Sequence, residues 1–373
     1  MTYEKDLARI VEDVAGPQAA RIDREGAFPR AAIDDLAGSG ILALTVPAGL
    51  GGGGLGLAAA SDVVQSLATV CGSTAMVVTM HYAATAVLAA TGREDVLREI
   101  ARGAHLTTLA FSESGSRSQF WSPVSTAAAD GAEVVLDARK SWVTSAHEAD
   151  SYVWSSRPLA ADGPMSLWLV RTGSAGLSAP AGFDGLGLRG NDSCPVTAEG
   201  VRVARTDLLG GDGSGLDIAL TAALPWFLLL NASASAGLMR AVTDATTQYL
   251  TATRLEHLGQ SLARQLPSRA RLARMRIETD RTRAHVADAI AAVESGREDA
   301  QLLVLEVKAA ADEAAAEVAD AAMAACGGAA FRKELPVERR FRDSRAARVM
   351  APTTDALLDF VGRALCGLPL LDA

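Results

Sequence analysis

At 373 residues the chain is longer than a single hydrophobic core usually serves, so two or three packed subdomains are expected. With 49% hydrophobic and 21% charged residues it has the composition of a globular protein, which excludes a disordered or fibrous one. A formal net charge of -9 argues against nucleic acid or an anionic membrane as the main partner, because both select a basic face.

The N-terminus, MTYEKDLARIVEDV, carries acids throughout and lacks the apolar stretch of a signal peptide, which gives a cytoplasmic expectation. From Tyr3 to about His105 apolar residues such as Leu7, Ile10, Val11 and Val14 recur at helical spacing, with a glycine-rich break from Gly49 to Gly56. Residues 1–105 therefore read as a helical domain. Residues 106–212 change texture to short β-branched and aromatic runs, EVVLDARKSWVTS, SYVWSS, MSLWLVRT and VTAEGVRVA, and read as an antiparallel sheet or small barrel. Residues 213–373 return to helical periodicity in Asp244 to Leu262, Arg269 to Ser295 and Gln301 to Ala325, for which a helical bundle is the natural packing.

The uncharged stretch Ile218 to Met239 is long enough for a membrane span. Pro225, Asn231, Ser233 and Ser235 interrupt it, so it reads as a helix buried in a bundle. Helices, strands, then helices indicate segregated α and β subdomains, an α+β class. No GxGxxG follows a strand, which argues against a Rossmann fold. Cys71, Cys194, Cys326 and Cys366 form no CxxC pair, and His81, His105, His147, His257 and His285 show no metal spacing. Reduced, mostly buried thiols and no metal are expected.

The blocks VPAGLGGGGLGL (Val46 to Leu57), CGSTAMVVTMH (Cys71 to His81), FSESGSRSQ (Phe111 to Gln119), KSWVTSA (Lys140 to Ala146), LGLRGNDSCPVTAEGVRV (Leu186 to Val203) and ELPVERRFRDSRAARV (Glu334 to Val349) resemble the acyl-CoA dehydrogenase family in content, order and spacing. The resemblance implies an N-terminal helical domain, a middle antiparallel β domain and a C-terminal four-helix bundle. It also implies bound FAD, and homodimers or homotetramers in which subunits share flavin sites. An acyl thioester on CoA or a carrier protein is the implied substrate, with an electron-transfer partner or oxygen taking the electrons.

Dehydrogenating a thioester requires a hydride acceptor, donors that polarise the carbonyl and a carboxylate base for the α proton. By resemblance, Trp142 covers a flavin face, Val143 lies beside it on the strand, and the Thr144 hydroxyl bonds the flavin near its reactive nitrogen. Phe111 and Ser112 fall where the pyrimidine end is held, and Ser118 where a serine meets flavin or CoA phosphate. Gly327 and Gly328 match the pair that cradles the adenine-side phosphates, and Thr353 matches a threonine of the cofactor site. His81 is placed near the pocket mouth.

The departures are as informative. Arg117 and Gln119 replace a glycine and an aspartate, Ala324 stands for a glutamine, and Ala329 and Ala330 stand for Asn-Gly. Leu255 and Leu258 occupy the positions of an arginine and a phenylalanine that reach the neighbouring subunit's FAD. Arg342 and Asp343 lead not to a glutamate and glycine but to Ala351 and Pro352. The alternative helix location for the base reads Pro225, Trp226, Phe227 and Leu228, an apolar pocket wall completed by Ala351. Asp355 and Glu113 are the remaining weak candidates for a base.

Three functions follow: a thioester-oxidising flavoenzyme with a missing or relocated base, a flavin-dependent monooxygenase on the same fold, or a non-catalytic subunit of a heteromeric enzyme.

Overall fold

The computed structural model describes residues 3–117, 119–180, 182 and 184–371. The chain divides into two compact units: Met1–Ala60 with Met76–Asp184 and Arg189–Phe227, and Ser61–Ala75 with Gly185–Leu188 and Leu228–Ala373.

In the first unit the N-terminal segment is helical, as its periodicity requires. Helix Glu94–Ala101 buries Val96, Leu97 and Ile100, spaced at i, i+1 and i+4, and exposes Glu94 and Asp95. Helix Gly16–Glu25 stops at Gly26, whose φ of 63° places it in the left-handed region that glycine enters without strain. The turn that follows this helix meets Gly190 closely: a Cβ there would lie 2.2 Å from the Ile22 side chain, so only glycine fits.

The strands of this unit are β1 (Thr107–Ala110), β2 (Thr126–Asp130), β3 (Glu133–Val143), β4 (Ser151–Ser156), β5 (Ser166–Arg171), β6 (Leu177–Ser178), β7 (Cys194–Ala204) and β8 (Leu208–Leu209). They form two four-stranded sheets, ordered β1-β4-β5-β8 and β2-β3-β7-β6. Pairing is antiparallel except between β1 and β4, which run parallel, so the expected all-antiparallel domain is corrected at one ladder. The reason is connectivity: a long excursion through β2 and β3 separates β1 from β4, and only adjacent hairpin strands are constrained to reverse. Val134, Leu136, Trp154, Trp168, Val196 and Val201 fill the core of this domain.

The second unit is built from the long helices Leu266–Ser295 and Ala300–Cys326, the greater part of helix Leu224–Ala252, and the shorter Val337–Val349 and Thr354–Leu365. Its alanine-rich helix buries Ala311, Ala315, Ala319 and Ala322, small residues that admit neighbouring backbone. The run NASASAG works the same way: Ser233 and Ser61 hydroxyls meet at 2.8 Å, and a Cβ on Gly237 would lie 2.3 Å from the Gln65 carbonyl. The expected helix Asp244 to Leu262 is corrected. The helix ends at Ala252, and Arg254–Leu255 pairs with Gln260–Ser261 as a small hairpin around Gly259 at φ 61°.

Among the described residues, three helical stretches, Gly72–Ala90, Gly215–Ala252 and Ala300–Phe331, are long and apolar enough to cross a membrane by length and composition. Their apolar windows are 78%, 67% and 44% buried within the protein, so core packing accounts for much of that surface in the first two.

Candidate functional site

The candidate site in the β domain is created by a defect in β3. From Val134 to Lys140 even-numbered residues face inward. A bulge between Lys140 and Val143 then shifts the parity, so Val143 is buried and Trp142 is turned out, 62% exposed. Trp142 sits at φ 57°, a conformation that costs a bulky residue of the order of 1 kcal/mol or more. Two residues on, the buried Thr144 places its Oγ1 3.1 Å from Ser193 Oγ. A strained, outward-facing indole next to a positioned hydroxyl fits a flat heteroaromatic ring that accepts a hydrogen bond. This is the observation on which the chain's fit to FAD rests.

The neighbouring strand end supplies Phe111 and Ser112, both half-buried. The Ser112 carbonyl accepts the Ser141 N–H at 2.9 Å, and the Phe111 ring lies 6.4 Å from that of Phe120. Both residues are thereby fixed beside the β3 bulge. Ser118 lies outside the described residues.

Glu113 is not placed as a base. Its carboxylate is 4% exposed, pairs with Lys140 Nζ and Ser125 Oγ, and accepts the N–H groups of Val124 at 2.6 Å and Ser125 at 3.0 Å. Burial opposes its charge, but the Lys140 ammonium and these donors outweigh burial and hold the carboxyl below its usual range. Burial brings Lys140 down to about 8. Lys140 also donates to Ser155 O at 2.7 Å and Ser155 Oγ at 2.8 Å, and stands 5.0 Å from the centre of the Trp154 ring. The pair ties β3 to β4 behind the bulge.

His81 is likewise interior, not at a mouth: its ring is fully buried, with Nε2 bonded to the Leu42 carbonyl at 3.1 Å and Nδ1 accepting the Thr107 N–H at 3.2 Å. Those partners require the neutral Nε2–H tautomer, and burial lowers its pKa to about 4.

In the second unit, the segment 350–353 links helices Val337–Val349 and Thr354–Leu365. Ala351 is half-buried and offers only a methyl group. Behind it Lys308 Nζ, wholly buried, donates to the carbonyls of Ala347 at 2.9 Å, Met350 at 3.3 Å and Pro352 at 3.1 Å. Thr353 is the N-cap of helix Thr354–Leu365, its Oγ1 accepting the Ala356 N–H at 3.3 Å. Asp355 follows on the exposed side of the first turn.

Gly327, at φ 58° and ψ -140°, ends helix Ala300–Cys326 in a conformation reserved for glycine, whereas Gly328 has a φ and surroundings that other residues tolerate. Leu255 and Leu258 lie on the small hairpin and not on an α-helix face. Arg254 Nη2 is engaged by the Gly259 carbonyl at 2.7 Å. Trp226, Phe227 and Leu228 are consecutive on one helix and point about 100° apart. Trp226 is half-buried and Leu228 entirely buried, so they do not form one wall together.

The chain matches three family models in succession: acyl-CoA dehydrogenase N-terminal domain over residues 2–104, middle domain over 108–201 and C-terminal domain over 213–366. It is 28% identical over 347 residues to the mitochondrial short-chain specific acyl-CoA dehydrogenase of Bos taurus, covering 91% of this chain and 83% of that protein. Butyryl-CoA dehydrogenase from Megasphaera elsdenii superposes with a TM-score of 0.90 at 20% identity, covering 98% of each chain. The prolyl acyl carrier protein oxidase AnaB superposes with a TM-score of 0.88 at 20% identity, over 97% of this chain and 98% of that one. Ordered matches to all three domains, together with the bulged strand bearing Trp142 and Thr144, identify the chain as a member of the acyl-CoA dehydrogenase family, whose enzymes depend on FAD.

Proposed function

We propose that this chain is an FAD-dependent oxidoreductase acting on an acyl thioester, carried by CoA or by a carrier protein, without the family's usual α-proton base. The observation that carries the reading is the outward Trp142 beside Thr144: a strained aromatic residue is retained where a flavin ring would stack. Hydride acceptance is the chemistry FAD supplies when bound. Trp142, Thr144, Phe111 and Ser112 would position that ring. With a methyl group at the base position, the α proton passes to solvent or to a relocated group, which suits a thioester whose α carbon is already acidic. The electrons leave to a protein partner or to oxygen.

A carrier-protein thioester is supported by the likeness to AnaB, whose name specifies such a substrate. Self-association is supported by exposed apolar side chains on the C-terminal unit, Leu266, Ile277, Phe331 and Leu365, and sedimentation velocity measures it. The cytoplasm is the proposed location.

The test is anaerobic: purify the chain alone, record its visible spectrum, and add acyl-CoA or acyl carrier protein thioesters. Bleaching of bound flavin is the expected result. A colourless protein that turns yellow only with a second polypeptide would mark a non-catalytic subunit and sink the proposal. Oxygen consumption that requires externally reduced flavin, with no bleaching by any thioester, would replace it with the monooxygenase reading.

A further inference from the structure

Where β3 and β7 begin to separate, three side chains far apart in sequence converge. His147 Nδ1, Asp192 Oδ1 and Cys194 Sγ all lie within 4.8 Å of one another, with His147 Nδ1 2.7 Å from the carboxylate and 3.9 Å from the sulfur. Cys194 is buried, Asp192 half-buried and His147 exposed, so the cluster is closed on the protein side and open to solvent on the other. We infer that these residues form a divalent-cation site with one nitrogen, one oxygen and one sulfur donor, suited to Zn2+.

The donor set selects the metal. Thiolate and imidazole favour zinc over magnesium or calcium, which prefer oxygen alone. Bond lengths of about 2.0–2.1 Å to nitrogen and oxygen and about 2.3 Å to sulfur place tetrahedral donors about 3.3–3.6 Å apart. The observed separations bracket that spacing. A cation would replace the proton shared between His147 and Asp192, opening the 2.7 Å contact by rotation of the exposed ring while the sulfur closes slightly.

The backbone is arranged without the metal. Cys194 pairs with Val143 across the sheet. The Ser145 N–H donates to Asn191 O at 2.9 Å, the Ala146 N–H to Asp192 O at 3.1 Å, and the His147 N–H to Asp192 Oδ2 at 2.7 Å. The backbone of Pro180 and Ala179 also faces the imidazole, the kind of outer contact that orients a ligating histidine. Three protein ligands leave a fourth position to solvent. The bound cation would tie segment 144–147 to 191–194 and so brace the Thr144–Ser193 contact.

Cobalt reports the site directly, because a cobalt–thiolate bond gives a near-ultraviolet charge-transfer band. The full chain, stripped with chelator and carrying Cys366→Ser to remove the exposed thiol, is titrated with Co2+ and then Zn2+. The expected result is a band saturating at one equivalent and erased by zinc. Cys194→Ala abolishes the band, and His147→Ala weakens zinc binding by more than the roughly 100-fold upper cost of losing an outer-shell partner. Absence of the band in the parent, or its persistence in Cys194→Ala, overturns the site. Should Cys194→Ala fail to fold by circular dichroism, Asp192→Asn decides: its amide oxygen still accepts the His147 N–H, so unchanged zinc affinity there rejects the proposal and a loss supports it.

Discussion

Lys308 and Asp312, one helical turn apart, form an ion pair of 2.8 Å in which neither side chain has exposed surface. Thr354 Oγ1 donates to the same carboxylate oxygen at 3.4 Å. Burial pushes the ammonium down and the carboxyl up, and their mutual attraction works against both shifts. Because Lys308 also holds the carbonyls of Ala347, Met350 and Pro352, this pair fixes the segment that carries Ala351. Lys308→Met should therefore destabilise by about 3–5 kcal/mol, the cost of stranding a buried charge. Urea unfolding measures it, and Lys308→Met with Asp312→Leu should recover part of the loss. A double variant less stable than the single one would contradict this account.

Trp142 separates cofactor binding from folding. Its indole is largely exposed, so Trp142→Ala should leave the stability of the flavin-free protein within about 0.5 kcal/mol. Release of FAD, followed by the rise in free-flavin fluorescence, should become faster. An unchanged release rate would remove the indole from the flavin site.

Glu113 should behave as a structural acid. Glu113→Gln leaves Lys140 with an uncompensated buried charge and should lower stability by about 3 kcal/mol. Turnover per bound flavin should hold at temperatures where the variant is folded. A selective loss of turnover, with stability intact, would restore Glu113 as a candidate base.

His81 gives the protein an acid-sensitive element. Its folded pKa of about 4 lies below the ordinary imidazole value of 6.5, so the unfolded chain binds the extra proton between those values. The stability it contributes is complete above pH 6.5 and is lost as pH falls toward 4. A separation of 2.5 between them corresponds to about 3 kcal/mol at most. Unfolding midpoints measured across that window for the parent and for His81→Gln should converge toward the acid end. Parallel pH profiles would count against it.

Ala351 can be tested by restoration. Ala351→Glu with Pro352→Gly puts a carboxylate and a flexible residue where the proposed reading locates the family's base. If proton abstraction limits thioester oxidation, bleaching of bound flavin by acyl-CoA should accelerate by about 10²–10⁴-fold, the usual contribution of a general base. No acceleration in a folded, flavin-loaded variant would show that the base position is not what limits this chain.

The order of helical, strand-rich and helical thirds was legible in the sequence because apolar period is a local property: 3.6 residues in Glu94–Ala101, two residues in β3 as far as Lys140. The family motifs and the fully apolar stretch at Trp226 to Leu228 were legible for the same reason, each being contiguous. Where local pattern broke, tertiary structure decided. The parity shift that turns Trp142 outward depends on the register of β3 against β7, and the parallel β1–β4 ladder depends on which strands meet after a long connection. The hairpin at Arg254 to Ser261 interrupts what reads as continuous helix, because Gly259 adopts a positive φ that no spacing rule reports. The same limit applies to chemistry. Lys140 with Glu113 and His147 with Asp192 and Cys194 join residues 27 to 47 positions apart, and only the pairing of strands brings such groups within reach. Sequence determined which residues were available, and the long-range contacts of the folded chain determined which of them became neighbours.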